Sequence, residues 1–543
     1  MLKELWSDKF ISNDKIRDKI VFNENLNVVL GADHAVNSIG KSTFLMIVDF
    51  VFGGDDYVEK TNYIIANVGH HSINYMFQFN SEKCYFSRNT EDYKKVLICN
   101  ENYVPIDEIG IDKYRELLFE KYNIGLPYIS FRNIVSRYFR VYGRDNSNEQ
   151  RPLHVFPKEK TGLPVNSLIQ LFNKYEPIDA YQRDVDYASD KKSAHNKAQK
   201  YTLIPSINKS TYIKNITEIK NLKLELEQIQ YAKDDMIATS LDQTDEFIKL
   251  KIEHSKLKRA RSSLFNEFEV VSRKIENSEN QNNYEVLSDF FENVNVKRFE
   301  DINNFHTQIY QILINEFEES KEKIQIKIDN ITENMLVLEK LMEATGYNQD
   351  VPKSLVQRIS TISTAINRMK NENNQYDQSI EFKKILDEKK KDLFDVRKNI
   401  TLELSSLLNK HMDTLNDKIY NGEKTPPQIT FYDNNDYLFE VINDAGTGAK
   451  YRGMLIFDLV ILDKTPLPAI IHDSFLYKNV EDQAVQEILK LYNTINKQVF
   501  ISLDKIESYS DSAQSILKSN QVIYLSPNGN ELFGKSWNKK KQS

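Results

Sequence analysis

The chain has 543 residues, 40% of them hydrophobic, and a formal net charge of −7 at pH 7. This length allows more than one domain, and the negative charge excludes a general electrostatic attraction to nucleic acid, which would therefore need a local basic patch. Two cysteines, no signal-peptide pattern and no run of ~18 to 20 apolar residues lead us to expect a cytoplasmic protein without a disulfide framework or a membrane span.

A phosphate-binding loop is predicted within residues 26 to 51, LNVVLGADHAVNSIGKSTFLMIVDFV. The beginning of this segment is typical of a buried strand, and its end is typical of an apolar helix. A loop between them turns backbone N–H groups inward at the positive end of a helix dipole, which is the arrangement that binds phosphate. The residues expected to contact a nucleotide here are Asn37, Ser38, Ile39, Gly40, Lys41, Ser42 and Thr43.

Two side chains of this loop carry the predicted chemistry. Lys41 would reach the β- and γ-phosphates of ATP, and the Ser42 hydroxyl would bind Mg²⁺. The match to the pattern GxxxxGK[ST] is imperfect because Ala35 stands in the place of the first glycine. Alanine tolerates some turn geometries that larger residues do not, so we interpret the loop as a variant. The alternative is a Gly-Lys-Ser turn in an unrelated fold.

An arginine-rich segment follows at residues 131 to 151. Its arginines alternate with aromatic residues, a combination that suits planar recognition of phosphate from ATP or from a nucleic-acid backbone. A solvated helix face with salt bridges is an equally good interpretation, so both stay open. The arginines are Arg132, Arg137, Arg140, Arg144 and Arg151.

The middle of the chain is predicted to form a coiled coil. Neither Gly nor Pro occurs from Ser206 to Thr345, which indicates long helices. Apolar residues recur in steps of three and four, and the average of 3.5 keeps a narrow seam against a partner helix. The three runs are Phe247, Leu250, His254, Leu257, Arg261, Leu264, Phe268, Val271 and Ile275; Ile324, Ile328, Ile331, Met335, Leu338 and Met342; and Ile359, Ile362, Ile366, Met369, Asn373, Tyr376 and Ile380.

These runs are interrupted at residues 277 to 305 and 346 to 352, where the second interruption combines a helix stop with a helix restart. An antiparallel hairpin follows if the two ends of the chain belong to one domain. A parallel dimeric rod with two unrelated end domains is the alternative, and periodicity alone does not exclude it.

The C-terminal part of the chain alternates again between strands and helices. An apolar strand from Leu467 ends at Asp473, and an aspartate at the end of a buried strand beside a phosphate loop is a usual second contact of Mg²⁺. A further helix (residues 481 to 492) and strand (residues 498 to 503) complete the succession. The N- and C-terminal parts are therefore predicted to form one parallel-sheet α/β domain that the coiled coil splits.

This order of motifs resembles the ABC-type ATPase heads of the structural-maintenance-of-chromosomes class, which includes break-repair ATPases, and the resemblance covers essentially the whole chain. It implies an α/β fold: a split P-loop ABC-type ATPase head (residues 1–205 and 425–543) with a long antiparallel coiled-coil insertion (residues 206–424). More narrowly, GADHAVNSIGKST, a GTG stretch and IIHDS are similar to uncharacterised prokaryotic coiled-coil ATPases of ABC three-component conflict systems.

The resemblance also implies roles for individual residues. Gly446, Thr447 and Gly448, ahead of a helix predicted from residue 455 to 462, stand where the signature loop contacts the γ-phosphate held by the opposite subunit. A homodimer with ATP between two heads follows, whereas a plain tight turn is the alternative for this GTG stretch. Gln150 is the candidate for the metal-loop glutamine. The implied metal ligands are Ser42, Asp473 and Gln150, and the implied catalytic residues are Lys41, Asp473 and Ser474.

Two departures from the class bear on the mechanism. Ser474 follows Asp473 where the class has a glutamate that positions the attacking water, so we expect slow hydrolysis unless Glu481 or Asp504 takes that role. Residues 501 to 505 stand where the class has its switch histidine. His472 is a candidate substitute, but a histidine beside a buried strand end is more often structural.

The sequence therefore predicts a dimeric coiled-coil ATPase that binds ATP and Mg²⁺ and hydrolyses ATP slowly. We expect it to act as a nucleic-acid sensor or clamp in prokaryotic anti-phage defence or DNA repair, with a separately encoded effector or accessory protein and no membrane partner. The alternative hypothesis is a structural scaffold whose ATP site stabilises the dimer and whose coil binds a protein partner.

Overall fold

The computed structural model describes the backbone of most of the chain, and the chain divides into two compact units. The head comprises Met1–His195 and Glu381–Ser543, and the coil comprises Asn196–Ile380. The described residues are 1–32, 39–237, 243–279, 296–344, 353–432, 435–504 and 506–537, without the side chains of residues 230–237, 243–248, 273–279, 296–314 and 353–355.

Strands and helices alternate in the order that follows. The strands are β1 (Leu2–Trp6), β2 (Ile11–Ser12), β3 (Lys15–Ile16), β4 (Ile20–Val21), β5 (Leu26–Gly31), β6 (Ser72–Phe79), β7 (Glu82–Asn89), β8 (Lys95–Cys99), β9 (Pro105–Gly110), β10 (Phe139–Arg140), β11 (Pro427–Tyr432), β12 (Asp436–Val441), β13 (Ala469–His472), β14 (Gln498–Leu503) and β15 (Gln521–Leu525). The helices are α1 (Lys41–Val51), α2 (Asp56–Glu59), α3 (Asn62–Val68), α4 (Ile111–Lys121), α5 (Phe131–Tyr138), α6 (Leu163–Leu171), α7 (Glu176–Lys200), α8 (Lys209–Ile237), α9 (Gln243–Glu279), α10 (Val296–Ala344), α11 (Lys353–Tyr420), α12 (Thr447–Lys464), α13 (Asp482–Thr494) and α14 (Asp511–Ser519), with 3₁₀ turns at Ser474–Leu476 and Ile506–Ser508.

A parallel sheet with the strand order β10-β13-β14-β5-β15 forms the centre of the head. Strand β5 comes from the N-terminal part of the chain and pairs on one side with β14 and on the other with β15, both from the C-terminal part. Every residue of β5 and β14 is buried, as expected for strands covered on both faces. The predicted split α/β head is therefore confirmed.

A second, antiparallel sheet with the strand order β4-β1-β6-β7-β8-β9 completes the head. The two sheets share one hydrophobic core. Phe52, directly after α1, contacts Phe77 of β6 at 5.2 Å between ring centroids and Phe500 of β14 at 6.2 Å. Helix α1 is consequently buried on nearly all sides, which explains its almost wholly apolar sequence. No pattern in the sequence predicted this sheet.

The coil contains antiparallel helix pairs. In α9 and α10, the His254 Nε2 atom lies 2.8 Å from Glu339 Oε1, and Lys321 Nζ lies 5.3 Å from the centre of the Phe268 ring. Residues further along α9 thus meet residues earlier in α10. Asn215 of α8 likewise donates to Glu372 of α11 at 2.9 Å. This pairing within one chain confirms the predicted hairpin and excludes the parallel rod.

The heptad seams coincide with the buried positions of these helices, except that Ile359 and Ile380, at the two ends of the third run, are 37% and 51% exposed. Ile324, Ile328 and Met335 are 3–6% exposed, and the other described members of the first two runs are half-buried. His254 is tolerated in the seam because Glu339 pairs with it. The side chains of Phe247 and Ile275 lie outside the described residues, as do residues 346 to 352. Among the described helices, none is long and apolar enough to cross a bilayer.

The position of β5 between two C-terminal strands predicts that a chain divided near residues 280 to 295 stays assembled. We expect the fragments 1–279 and 296–543, expressed together, to copurify in equal amounts, because each exposes an incomplete sheet without the other. Size-exclusion chromatography measures whether the two fragments elute together, and gel densitometry measures their ratio. Val28→Asp, which buries an unpaired carboxylate in β5, should abolish copurification. Fragments that purify separately, each with cooperative unfolding, would contradict the prediction.

Candidate nucleotide site

Helix α1 begins where the sequence predicts the end of the phosphate-binding loop. Its N-cap residue, Gly40, has a φ of 100°, which glycine adopts without strain. A Cβ at this position would lie 2.5 Å from the Cβ atom of Leu532, and the Leu532 N–H donates to the Ile39 carbonyl at 3.0 Å. The segment after β15 therefore fixes the end of the loop. Asn37 and Ser38 lie outside the described residues.

The first turn of α1 is suited to an anion. Among the described residues no side chain caps this helix, and its first turn contains no acidic residue. Its N–H groups thus point away from the helix at the positive end of its dipole. Ser42 and Thr43 are half-buried in this turn, and Lys41 is buried.

Lys41 forms a buried ion pair. Its Nζ atom lies 2.7 Å from Oδ1 of Asp504, and the two side chains are only 7% and 16% exposed. Asp504 directly follows β14, the neighbour of β5. Gly31, the last residue of β5, provides the space, because a Cβ there would lie 2.5 Å from Asp504 Oδ1 and 3.1 Å from Lys41 Nζ. The pair thus lies at the carboxyl edge of the parallel sheet, where α/β proteins bind ligands.

Asp473 lies at the same edge, directly after β13, and is completely buried. Its Oδ1 atom accepts hydrogen bonds from Ser502 Oγ at 2.6 Å and from the Ser474 N–H at 2.8 Å. Its Oδ2 atom accepts one from the Tyr142 N–H at 3.0 Å. The Ser474 hydroxyl makes a longer contact with Oδ1, at 3.5 Å. These donors fix the side chain, and only Oδ2, which has a single donor, keeps one acceptor position for a further contact.

Ser474 begins the 3₁₀ turn after Asp473 and is half-buried. Its N–H group is shared between Asp473 and Ser502 Oγ, the latter at 2.9 Å. Its hydroxyl oxygen lies 3.5 Å from Asp473 Oδ1. The side chain that follows the strand aspartate is therefore a hydroxyl, which is a poor base at neutral pH.

A buried polar network of Arg140, Asp458, His472 and Tyr492 is joined to Asp473 through the backbone. Arg140 Nη2 donates to Asp458 Oδ1 at 2.7 Å, and the Arg140 carbonyl accepts from the Asp473 N–H at 3.0 Å. Burial lowers the pKa of His472 and outweighs the opposing effect of Asp458. The imidazole lies 2.9 Å from Asp458 and 2.7 Å from the Tyr492 hydroxyl. His472 thus has the structural environment that the sequence analysis favoured, and the network joins α12, β10 and β13.

The predicted signature loop forms the beginning of α12, which is longer than the expected residues 455 to 462. Gly446 is the N-cap without a capping side chain, and its N–H donates to Asp444 at 3.1 Å. Gly446 and Thr447 are exposed. A Cβ on Gly448 would lie 2.3 Å from the Asn479 carbonyl oxygen, so a larger residue would displace this backbone. The helix start is hence open toward other molecules.

The salt bridges expected for the arginine-rich segment are present, but the solvated helix face and the phosphate-binding surface are both wrong for its central arginines. Arg137, Arg140 and Arg144 are only 0–4% exposed, because the chain after α5 folds onto the core. Buried guanidinium groups require carboxylate partners, and these arginines form neither an open phosphate-binding surface nor a solvated helix face. The partners are Asp49 for Arg132, Glu159 for Arg137, Asp458 for Arg140, Asp49 and Asp56 for Arg144, and Asp436 for Arg151.

Asp49 shows what this pairing achieves. The carboxyl group is completely buried in α1, and burial opposes its ionisation. Arg132 and Arg144, at 2.9 and 3.0 Å from Oδ1, outweigh burial and hold the pKa of Asp49 below its usual value. Arg132 and Arg144 therefore stabilise a buried negative charge inside the head.

Gln150 is exposed in a turn, where its backbone N–H donates to Asn148 Oδ1 at 3.0 Å. Its neighbour Arg151 donates to the Tyr437 carbonyl at 2.6 Å. No hydrogen bond among the described residues joins the Gln150 side chain to Ser42 or Asp473. The residue after β10 that reaches Asp473 is Tyr142, through its backbone, and a motif search for glutamine could not find it.

A protein-family model matches the C-terminal part of the chain. The model of a family described as an uncharacterised protein conserved in bacteria (DUF2326) matches residues 415–537. This region includes β11 to β15 and hence Asp473 and Asp504. None of the curated proteins matches the chain.

Solved structures of Smc heads are among those that match the chain. The Smc head domain with a coiled coil and joint from Pyrococcus yayanosii has a TM-score of 0.42 and 13% identity, over 97% of this chain and 94% of that one. The Smc head domain with an extended coiled coil bound to the C-terminal domain of ScpA, from Pyrococcus furiosus, has a TM-score of 0.35 and 9% identity, over 97% and 92%. An SmcHead bound to the C-winged helix domain of ScpA has a TM-score of 0.39 and 8% identity, over 98% and 97%.

The three hydrogen bonds to Asp473 predict a structural effect of its replacement. Asp473→Asn removes the charge and turns an amide N–H₂ toward a buried donor, so we expect the free energy of unfolding to fall by about 1–3 kcal/mol. Urea denaturation measures the change. Asp413→Asn, on the exposed side of α11, is the matched control and should change stability by less than about 0.5 kcal/mol. Equal stability of the two variants would show that Asp473 is not held as described.

Proposed function

We propose that this chain is a coiled-coil ATPase that binds ATP and Mg²⁺ at the carboxyl edge of its parallel sheet. The observation that carries the proposal is the position of Lys41 at the start of α1, beside an edge to which neighbouring strands bring Asp473 and Asp504. An uncapped helix start and a buried cation favour an anionic ligand. Acidic side chains at the adjacent strand ends favour a ligand that carries a divalent cation.

The residues present fit this nucleotide. The N–H groups of α1 and the Lys41 ammonium group would hold the phosphates. Ser42 and the one remaining acceptor position of Asp473 would hold Mg²⁺, which neutralises phosphate charge when bound. Among the described residues no group of three or more His, Cys, Asp or Glu side chains could hold a metal. This fits Mg²⁺, because it commonly uses one or two protein ligands together with the phosphates. Gln150 is not part of the proposal.

The start of α12 supports a dimer in which ATP lies between two heads. Gly446 and Thr447 are exposed, and the first N–H groups of this 18-residue helix have no capping side chain among the described residues. Such a helix start binds an anion presented by another molecule. A second copy of the chain, with its own nucleotide, supplies that anion in our proposal.

The environment of Ser474 supports slow hydrolysis. A serine hydroxyl does not position water as a glutamate does. Of the two carboxylates that could replace it, Glu481 pairs with Lys424. Asp504 pairs with Lys41 and would leave it only where phosphate displaces it. The ATP-bound dimer should therefore be long-lived, and the protein would act as a nucleotide-controlled clamp.

The biological part of the proposal is a cytoplasmic nucleic-acid sensor or clamp in prokaryotic anti-phage defence or DNA repair, with a separately encoded effector or accessory protein. It rests on the resemblance of the phosphate loop, the GTG stretch and IIHDS to that class. The paired arginines of residues 131 to 151 give it no support. Lys256, Lys258 and Arg259 of α9 are exposed and provide a small basic surface.

A scaffold that binds a protein through its coil is the second candidate. It is favoured by the apolar side chains that α10 exposes outside its heptad seam. Leu336, Val337 and Leu341 are 48–53% exposed on neighbouring positions of one helix, and exposed apolar clusters mark protein contacts.

ATP-dependent association tests the clamp. We expect ATP with Mg²⁺ to convert monomers into dimers, whereas ADP, which lacks the γ-phosphate, should not. Multi-angle light scattering measures the change. Lys41→Ala should abolish it, and Lys464→Ala, at the other end of α12, is the matched control. Association that is independent of nucleotide would contradict the clamp.

Phosphate release by the same samples tests the role of Ser474. Turnover should lie well below the ~1 to 100 per second of kinases. Ser474→Glu should raise turnover or shorten the lifetime of the dimer. Rapid hydrolysis by the wild type that is lost on replacing Glu481 or Asp504 would assign the catalytic base to that carboxylate.

Electrophoretic mobility shift separates the two candidate functions. A clamp should retard DNA or RNA in the presence of ATP with Mg²⁺ and less so with ADP, and the shift should weaken steeply with salt. Lys256→Glu together with Arg259→Glu should reduce it if α9 contributes. If no nucleic acid shifts under any nucleotide condition while ATP still drives dimerisation, the scaffold is the better description.

A further inference from the structure

The ion pair between Lys41 and Asp504 has a consequence for ligand affinity. We propose that the Asp504 carboxylate competes with nucleotide phosphates for the Lys41 ammonium group. This competition lowers the affinity of the site for nucleotide. The inference rests on the proposed function, because it assigns to Lys41 the phosphate contact described above. It concerns affinity, and so is distinct from any role of Asp504 in hydrolysis.

The geometry makes the competition direct. Asp504 Oδ1 lies 2.7 Å from Lys41 Nζ, which makes the two groups a close ion pair. A phosphate oxygen that binds Lys41 needs the same ammonium group at the same kind of distance. The pair is shielded from water, since the side chains are 7% and 16% exposed, and shielding strengthens both the attraction to Lys41 and the repulsion between carboxylate and phosphate.

The backbone around Lys41 and Asp504 leaves space for this contact and sets the position of Asp504. Gly31 ends β5 directly beneath it, and a Cβ at this position would lie within 2.5 Å of Asp504 Oδ1 and 3.1 Å of Lys41 Nζ. The parallel pairing of β14 with β5, in which Leu503 is opposite Leu30, sets the next residue, Asp504, beside the end of β5. The carboxylate is thus placed by the sheet itself.

The consequence is that phosphates bind Lys41 only by displacing or sharing Asp504. An amide at position 504 keeps the size of the side chain but neither attracts the ammonium group as strongly nor repels phosphate. Asp504→Asn should therefore bind nucleotide more tightly than the wild type. The expected gain is about 10- to 100-fold, which is at the lower end of the coupling measured for close charge pairs.

Isothermal titration of the full-length protein tests the inference. Wild type, Asp504→Asn and Glu507→Gln are titrated with ATP·Mg²⁺ and with ADP·Mg²⁺. Glu507 lies three residues further along and is exposed, so its replacement removes the same charge without touching Lys41. We expect lower dissociation constants for Asp504→Asn with both nucleotides, and wild-type values for Glu507→Gln. Thermal unfolding checks that each variant is folded, and Asp504→Ser replaces Asp504→Asn if the amide variant does not fold.

The outcomes separate the inference from the function. Equal or weaker binding by Asp504→Asn, with the wild type binding ATP, overturns the inference and leaves the proposed function intact. Tighter binding by Asp504→Asn and Glu507→Gln alike also overturns it, because a general charge effect then suffices. No binding by the wild type or by either Asp504 variant overturns the proposed function, and the inference falls with it.

Discussion

The structure depends on one constraint: β5, from the beginning of the chain, is hydrogen-bonded on both sides by strands from its end. A parallel strand in this position cannot form before the C-terminal part is present, since its backbone groups would lack partners. The same pairing brings Asp504 to Lys41. The pairing also requires the chain that leaves the N-terminal part of the head to come back to the same sheet. An antiparallel pair of long helices brings it back, and regular contacts along the two helices stabilise the pair.

Buried charge is the second organising feature. Arg140, Asp458 and His472 are all completely buried. They connect α12 with β10 and with β13, the strand that ends directly before Asp473. Removing one member of such a group leaves an uncompensated charge in the interior, which costs more than the group contributes when intact. The network therefore fixes α12, whose N-cap is Gly446, relative to the strand that ends before Asp473, so the two predicted halves of the site cannot be placed independently.

The sequence pattern predicted those elements whose bounds depend on residues close together in the chain. The bounds of β14, the start of α1 near Lys41 and the heptad seams follow from apolar runs and their period. The antiparallel sheet was missed because its strands, such as β7, mix charged and apolar residues around tight turns. The partners of the arginines were missed for another reason: Asp458 lies more than 300 residues from Arg140, and no periodic pattern records such a pairing. The Lys41 and Asp504 contact is of the same kind.

These charges bear on how the site could hold a polyphosphate. At the carboxyl ends of β13 and β14 lie Asp473 and Asp504, and the nearby cation, Lys41, is already paired with one of them. A nucleotide adds three or more negative charges to this edge. The N–H groups at the start of α1 contribute only about half a positive charge through the helix dipole. If the site binds nucleotide as proposed, electrostatics favours the Mg²⁺ complex of ATP over free ATP, and the affinity should depend on the divalent cation more strongly than on Lys41 alone.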